Sequence, residues 1–265
     1  MSANRILGAV LIAAALALSG CGKESAAPAP APAAKQETAA APQATGESKS
    51  AETPAASETA QPAEAPKPSA EAFAGPEPKE NVDYFYIDPP QPLNQSPGEI
   101  EVAEVFSYTC IHCQQFDPLV PAFKASLPEK AKFVYVPTSF GAFEQIARAF
   151  YAAQALGVQE KLHTALFKAM VEERKIKRGD AEEVVGLYKE LGVNGDELAA
   201  AMKSFAVNAQ IARAQKTLAR WGIEGTPTIV VAGKYRVVAG AGGHQGMLRT
   251  ARWLVDKELA AAAEK

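Results

Sequence analysis

Beyond residue 72, dense apolar clusters begin near Val82, and the first one long enough for a complete element covers residues 99–108. Apolar side chains occupy both faces of this extended segment, a pattern typical of a buried central strand. Apolar residues recur at helical spacing over residues 113–127, which predicts a helix with a kink at Pro118. Residues 133–136 predict a second short strand. The three elements together form one right-handed crossover unit.

The long stretch that follows has helical periodicity throughout. Its apolar stripes are Phe143, Ile146, Phe150 and Ala153; Leu162, Leu166 and Met170; and Leu198, Met202 and Phe205. Asp180 with Glu183 resembles a capping box, and Gly192 is a typical C-terminal stop. A last long helix is predicted from Val207 through Trp221. The stretch therefore predicts a block of helices without strands.

The C-terminal part returns to strands. After Gly225-Thr226-Pro227, residues 228–232 predict a strand, Gly233-Lys234 a tight turn, and residues 235–238 a second strand. A terminal helix is expected over residues 245–262. The order is thus β-α-β, a helical block and β-β-α, which indicates the α/β class. The length after Val82 suits one sizeable core, or a core domain with an inserted lobe.

The N-terminus has a different pattern. Arg5 precedes the apolar run 6–18, which is too short to span a bilayer but typical of the apolar region of a signal peptide. The run ends in Leu-Ser-Gly-Cys21, which resembles the lipobox of bacterial lipoproteins and implies cleavage before Cys21 and a lipid on that cysteine. An ordinary secretion signal with a chance cysteine is the alternative. Gly22, where an aspartate would favour the inner membrane, indicates the outer membrane.

Residues 22–72 contain no Val, Ile, Leu, Met, Phe, Tyr, Trp or Cys, so they cannot form a core. We predict a disordered tether over residues 21–81 that begins at the lipidated Cys21. A passive tether is favoured over a segment that binds a partner or spans the cell wall. The net charge of −3 gives no support for nucleic-acid binding. The export signal places the remaining chain in the oxidising bacterial envelope, where an exposed dithiol pair can hold a disulfide.

Cys110 and Cys113 are separated by two residues and are the only cysteines besides Cys21. They can form a disulfide only with each other or with another molecule, as an exchange catalyst requires. Cys110 is expected at the N-terminus of the helix, where free backbone N–H groups stabilise a thiolate and lower its pKa. Cys113, one turn further along, is the expected buried, resolving partner.

A Cys-X-X-Cys that opens a helix after a buried strand, a helical insertion, and Gly-Thr-Pro before a β-hairpin resemble the DsbA-type thiol-disulfide oxidoreductases over residues 82–262. The resemblance implies a thioredoxin fold with an inserted all-helical domain, a cis peptide at Pro227, and no cofactor beyond the redox-active Cys110–Cys113 disulfide. The predicted parts are a signal peptide with lipobox (1–20), the lipidated cysteine and tether (21–81), an N-terminal thioredoxin part (82–138), a helical insertion (139–206) and a C-terminal thioredoxin part (207–265).

Two further catalytic residues are expected. His112 lies on the first helical turn, and the DsbA-type enzymes are similar in having a histidine there, where it would add to the stabilisation of the Cys110 thiolate. An exposed histidine without a role is the alternative. Glu104 lies on the central strand, where a buried carboxylate is costly without a role or a partner. The resemblance implies that it lies under the dithiol and affects its proton transfers; pairing with a lysine is the alternative. His163 and His244 are expected to be surface or packing residues.

Substrate contacts are expected at Thr226, Pro227 and Ile111. In the thioredoxin fold, the cis proline leaves backbone groups free to pair with the chain of a substrate. An ordinary trans turn before a strand is the alternative. Three features depart from the common DsbA pattern: Ile111 where proline is usual, Thr226 where valine is frequent, and Glu224, an acid near the turn. The first two positions tune reduction potential and partner choice.

These residues favour a disulfide donor that acts on reduced, folding envelope proteins through a mixed disulfide at Cys110. The resemblance implies reoxidation by a DsbB-like, quinone-linked oxidase of the inner membrane. A reductase or isomerase on the same fold is the nearest alternative, and a non-catalytic envelope lipoprotein that binds other proteins is another. A closed zinc site is disfavoured because it needs four ligands, and no metal is expected. We expect a periplasmic, lipid-anchored monomer.

Overall fold

The computed structural model describes residues 75–94, 96–240 and 242–264. The predicted signal peptide, Cys21 and most of the predicted tether lie outside these residues. Within the described ranges, no helix is both long and apolar enough to cross a membrane.

Five strands in this part of the chain form one mixed sheet. They are β1 (Tyr84–Tyr86), β2 (Ile100–Phe106), β3 (Ala131–Pro137), β4 (Thr228–Val231) and β5 (Tyr235–Val237). Their order across the sheet is β1-β5-β4-β2-β3. Only the β2–β3 pair is parallel among these strands, and the other neighbours run antiparallel.

The helices cover both faces of the sheet. They are α1 (Ile111–Phe116), α2 (Val120–Ser126), α3 (Glu144–Ala155), α4 (Gln159–Phe167), α5 (Ala181–Glu190), α6 (Gly195–Met202), α7 (Phe205–Arg220) and α8 (Gly243–Ala263). Helices α3 to α7 are inserted between the β-α-β unit and the β-β-α unit. This arrangement confirms the predicted thioredoxin fold with a helical insertion, while the predicted domain boundaries stay predictions.

Strand β2 is buried along its whole length, as its apolar pattern predicted. Val102 belongs to the apolar cluster formed with α1, α2 and α8, which includes Phe116 and Phe123. Ala103 and Val105 belong to the second cluster, formed with α3, α4 and α7. Because successive side chains of a strand point to opposite faces, β2 joins the two cores.

The helix predicted over residues 113–127 is divided into two. Helix α1 begins at Ile111 and ends at Phe116, and a 3-10 turn, Asp117–Leu119, separates it from α2. Pro118 lies in this turn, where its missing N–H and rigid ring oppose a regular α-helix. The predicted kink is therefore confirmed as a break, and the helix starts two residues earlier than expected.

The helical stripes are confirmed with two exceptions, Phe143 and Phe205. Phe143 lies in the 3-10 turn before α3 and is 41% exposed. Asp180 caps α5 by accepting a hydrogen bond from the backbone N–H of Glu183, as predicted. The Glu183 carboxylate accepts from the N–H groups of residues 177–179 in the preceding loop. Phe205 was wrongly predicted to extend the apolar stripe of α6, because it is 87% exposed. The chain turns at Ser204, whose hydroxyl caps α7, so Phe205 starts a new helix and faces solvent.

The β4–β5 turn lies one residue earlier than predicted. Ala232 and Gly233 have φ of 54° and 60°, and the N–H of Lys234 donates to the carbonyl of Val231 over 2.9 Å. A side chain is excluded at Gly233, because a Cβ there would lie 2.2 Å from the backbone carbon of Gln91. That neighbouring segment follows β1, which the sequence pattern had not resolved as a strand.

We expect Gly233→Ala to lower the free energy of unfolding by more than about 2 kcal/mol, through left-handed strain and a backbone clash. Gly186→Ala is the matched control, because that glycine lies inside α5 with open space around its Cβ position. There the substitution should raise stability by about 0.5–1 kcal/mol. Urea denaturation of both variants measures the two effects. Equal effects would contradict the turn described here.

Candidate active site

The two cysteines lie at the first turn of α1 in different environments. Cys110 is the N-cap residue and is partly exposed, whereas Cys113 is fully buried. Both thiols are free. This places the predicted exposed sulfur and the predicted buried sulfur one helical turn apart.

The pKa of Cys110 is lowered to about 5. The largest cause is the hydrogen bond from the Cys113 thiol, and the Thr226 side chain and the backbone N–H groups of His112 and Cys113 also stabilise the thiolate. Partial burial opposes them. Cys110 is therefore a thiolate at neutral pH.

The pKa of Cys113 is raised well above the ordinary value of a thiol. The first cause is its hydrogen bond to Cys110, which requires the Cys113 proton, and the second is burial. The pair therefore holds one proton, on Cys113. Cys110 can act as a nucleophile or a leaving group, while Cys113 is protected from solvent.

The turn before β4 closes over Cys110. The Thr226–Pro227 peptide bond is cis, as expected from the resemblance. The Thr226 carbonyl oxygen lies 3.3 Å from Cys110 Sγ and accepts a hydrogen bond when that thiol is protonated. The hydroxyl of Thr228 donates to the carbonyl of Gly225 over 2.8 Å and holds the turn. Residues distant in sequence thus meet at the reactive sulfur.

Two side chains between the cysteines face solvent. Ile111 is 47% exposed, and His112 is exposed on the first turn of α1.

The ring of His244 packs against Phe116 with centroids 5.3 Å apart. Burial lowers the pKa of His244, and repulsion from His112 lowers it further. The sequence had suggested a surface or packing role for His244, and this contact with α1 agrees with packing.

An open cavity of about 390 Å³ lies beside Cys110. Its lining combines apolar side chains from two loops with the polar rim of the turn: Thr138, Phe140, Phe143, Ile223, Glu224 and Thr226. Phe140 and Phe143 are 49% and 41% exposed. A larger groove of about 1080 Å³ lies among α3, α5 and α6, and its lining shares no residue with this cavity. The small cavity is the one that adjoins the dithiol.

Glu104 is 1% exposed on β2, and its Oε2 has no hydrogen-bond partner among the described residues. Its pKa is raised to about 8, mainly by burial and secondly by the charge of Asp117, while Lys124 opposes them more weakly. The alternative of a lysine partner is not favoured, because the Lys124 ammonium lies 2.8 Å from Glu160. Glu104 therefore carries a proton at neutral pH.

The sequence analysis did not assign Asp117 and His163 to the site. The charge of Asp117, in the 3-10 turn after α1, acts on Glu104, and His163 Nε2 lies 3.6 Å from Asp117 Oδ1. Asp117 is 7% exposed, and its pKa is raised by burial. His163 is 5% exposed, and its Nδ1 lies 2.6 Å from the hydroxyl of Tyr108. Asp117 follows Cys113 by four residues, one helical turn, which is a signal that could have been noticed. The pairing of Tyr108 with His163 spans the helical insertion and has no such local signal.

We expect the substitutions Cys113→Ser and Cys113→Ala to have different effects on the pKa of Cys110. Cys113→Ser keeps a hydrogen-bond donor, so the midpoint of Cys110 alkylation should stay close to the parental value of about 5. Cys113→Ala removes the largest stabilising contact, so the midpoint should rise towards that of an ordinary thiol, about 8.5. Iodoacetamide reactivity against pH measures both. An alanine variant with the parental midpoint would rule out this hydrogen bond as the main cause.

Within the described ranges, no group of three or more His, Cys, Asp or Glu side chains is arranged to hold a metal ion. The zinc alternative therefore gains no geometric support from this part of the chain.

The chain matches the family model described as a DSBA-like thioredoxin domain over residues 101–249. It is 35% identical over 182 residues to the thiol:disulfide interchange protein DsbA of Pseudomonas aeruginosa. The aligned residues cover 68% of this chain and 85% of that protein. The corresponding protein of Azotobacter vinelandii is 39% identical over 167 residues, 62% of this chain and 78% of that protein.

Solved structures agree with these matches. The crystal structure of Pseudomonas aeruginosa DsbA has a TM-score of 0.65 at 34% identity and covers 71% of this chain and 97% of that one. The crystal structure of the oxidoreductase DsbA from Xylella fastidiosa has a TM-score of 0.63 at 34% identity and covers 67% and 96%. With more than half of its length matched, including both cysteines of the dithiol, this chain belongs to the DsbA family of thiol-disulfide oxidoreductases.

Proposed function

We propose that this protein donates the Cys110–Cys113 disulfide to folding envelope proteins in the periplasm. The supporting observation is the difference between the two thiols. Cys110 is partly exposed with a pKa of about 5, whereas Cys113 is buried and keeps its proton. A stable thiolate at Cys110 favours the reduced form of the pair, and a pair that is stable when reduced is a strong oxidant.

The reaction follows two exchanges. A substrate thiolate attacks Cys110 Sγ, the Cys110–Cys113 bond breaks, and Cys113 leaves as a thiolate that takes up a proton. A second substrate thiolate then attacks the substrate sulfur of the mixed disulfide, and Cys110 leaves as the thiolate. The substrate dithiol loses two electrons and becomes a disulfide, while the enzyme pair gains them. Stabilisation of Cys110 assists the second step because it is the leaving group.

Glu104 is the proposed source of the proton for Cys113. It lies two residues beyond Val102, on the sheet face that α1 and α2 cover, and it is protonated at neutral pH. The departing Cys113 thiolate is the stronger base, so the proton passes from the Glu104 carboxyl to Cys113. We propose a supporting role for His112, whose imidazole is on the exposed side of the same turn.

The reading as an oxidase rests on the pKa of Cys110. A value of about 5 lies between the values of about 7 for thioredoxin and about 3.5 for DsbA. We therefore propose a reduction potential between roughly −270 and −120 mV, the values for those two proteins. Ile111 and Thr226, which differ from the usual family residues, would affect this reduction potential. A reductase would require a reduction potential near the lower limit, and an isomerase one near about −180 mV.

The proposed substrate site is the cavity beside Cys110 together with the cis-Pro turn. Phe140, Phe143 and Ile223 would receive an apolar side chain near the substrate cysteine. Thr226 and Pro227 would contact the substrate backbone, and Ile111 would contact it from the helix side. Such apolar contacts are not selective for one sequence, which suits a catalyst of many unfolded chains.

We propose that a DsbB-like, quinone-linked oxidase of the inner membrane reoxidises the pair and that no other cofactor takes part. A lipid on Cys21 would anchor the protein to a membrane, with the outer membrane favoured, and residues 22–81 would tether the catalytic domain. We propose a monomer. Palmitate labelling of the parent and of Cys21→Ser tests the anchor, and sedimentation tests the oligomeric state.

We expect Cys110→Ser to abolish oxidation of a reduced model protein, because no sulfur remains for the substrate to attack. Cys113→Ser cannot form the enzyme disulfide and should also lose turnover. With a disulfide-bonded protein it should accumulate a mixed disulfide, because the Cys110 thiolate attacks that disulfide, a thiolate of the protein leaves, and no Cys113 thiol is present to resolve the complex. The measurements are turnover on a reduced protein and non-reducing electrophoresis of trapped complexes. Equilibration of the parent with defined glutathione ratios gives the potential. Turnover in Cys110→Ser would refute the assignment, and a potential near that of thioredoxin would favour the reductase.

We expect Phe140→Ala to lower kcat/KM about fivefold for a reduced peptide with an apolar residue next to its cysteine. The reason is the loss of about 1 kcal/mol of apolar contact by a half-exposed ring. Phe205→Ala is the matched control, since Phe205 is 87% exposed and does not line this cavity. It should leave kcat/KM unchanged. Equal losses in both variants would exclude the cavity as the substrate site.

A further inference from the structure

A group of buried and half-buried polar side chains lies where β2 and β3 approach α4 and the 3-10 turn after α1. Its members come from β2, the segment after β2, the 3-10 turn after α1, β3 and α4: Glu104, Tyr108, Asp117, Tyr135 and His163. We refer to them as the buried polar cluster. Two of the three buried side-chain atoms without a hydrogen-bond partner in the described part of the chain belong to it, Glu104 Oε2 and His163 Nε2. Unpaired buried polar atoms are costly, so their concentration here calls for an explanation.

The hydrogen bonds of Tyr108 fix the tautomer of His163. Gln159 Nε2 donates to the Tyr108 hydroxyl over 2.5 Å, so the hydroxyl proton is free to point at His163 Nδ1, 2.6 Å away. His163 Nδ1 then accepts, and in the neutral ring the proton resides on Nε2. Burial lowers the pKa of His163 to about 4, which agrees with a neutral ring. His163 is thus an oriented donor.

That donor points at Asp117. His163 Nε2 lies 3.6 Å from Asp117 Oδ1, and the Thr164 hydroxyl donates to Oδ2 over 2.8 Å. Asp117 Oδ2 is therefore hydrogen-bonded from α4, while Oδ1 faces the His163 N–H at slightly more than hydrogen-bond distance. Glu104 has an unpartnered oxygen instead, and it is the more deeply buried of the two acids. When the two carboxyl groups compete for one proton, these contacts favour Asp117 as the carboxylate and Glu104 as the acid.

Tyr135 connects the two acids within the fold. It is the parallel register partner of Glu104, so both side chains lie on the same face of the sheet. Its ring lies 4.3 Å from that of His163. The other charged groups that face the cluster are Lys124 from α2, over the Tyr135 ring, and Glu160 from α4, which pairs with Lys124. The positive charge nearest to the acids is therefore already engaged at the surface.

We propose that Asp117, held as a carboxylate by His163 and Thr164, is a positioning residue for the disulfide exchange that keeps a proton on Glu104. The proton then stays available for the Cys113 thiolate when the enzyme disulfide opens. This last step rests on the proposed function, whereas the coupling of Asp117 to Glu104 does not. After the transfer, Glu104 is an anion next to Asp117, and the repulsion draws a proton back from solvent when the cycle is complete.

The test is a titration of the Glu104 carboxyl in the full-length protein. The chain is labelled with 13C at the glutamate carboxyl carbons, and the Glu104 signal is identified by its loss in Glu104→Gln. The parent should titrate with a midpoint of about 8. Asp117→Asn removes the like charge, so the midpoint should fall by about 1 pH unit or more. Glu129→Gln removes an exposed acid and should leave the midpoint unchanged.

Two milder variants address the case in which Asp117→Asn does not fold. Thr164→Val and His163→Gln weaken the contacts that hold Asp117 charged, so each should lower the midpoint by a smaller amount. A cluster that only packs the interface would lose thermal stability in these variants while Glu104 kept its midpoint near 8, and that result would overturn the proposal. Because the titration needs no substrate, it fails or succeeds independently of turnover in Cys110→Ser.

Discussion

The hydrogen bond from the Cys113 thiol to the Cys110 thiolate requires the two sulfur atoms to meet across the first turn of α1. Helix α1 can supply that geometry only because it begins at Ile111, which makes Cys110 the cap and places Cys113 one turn inside. The position of α1 depends on β2, whose buried residues pack against it from below. The central strand thus helps to set the reactivity of the Cys110 sulfur by positioning α1.

The sequence predicts the scaffold well where its signals are local. Periodicity located β2, β3, α7 and α8, and the Cys-X-X-Cys spacing located the reactive turn. The sequence-based prediction failed where contacts between residues distant in sequence determine the local structure. Phe205 continues an apolar stripe in sequence, but the Ser204 cap starts a new helix there. The strand β1 is three residues long and exists through its pairing with β5, which no pattern in its own residues specifies.

The same distinction applies to the site. Glu104 could be selected because a carboxylate in an apolar strand is conspicuous. Its environment could not be predicted, since Asp117 and Tyr135, and His163 next to both of them, come from three different elements. Lys124 shows the limit most directly: the structure brings it close enough to lower the pKa of Glu104, yet its ammonium is engaged by Glu160. A sequence can indicate a candidate counterion, but it cannot show whether that side chain is already paired with another charged residue.

The sheet's two outermost strands have a consequence for an enzyme that handles extended, unfolded chains. Free edges act as templates for strand addition and can nucleate aggregation with such chains. β1 offers only three residues, and β3 carries the exposed Lys132 and ends at Pro137. Short length, charge and proline all discourage a client from docking there. An unfolded substrate chain is thereby kept from pairing with the sheet edges, and it binds instead where its cysteine can react.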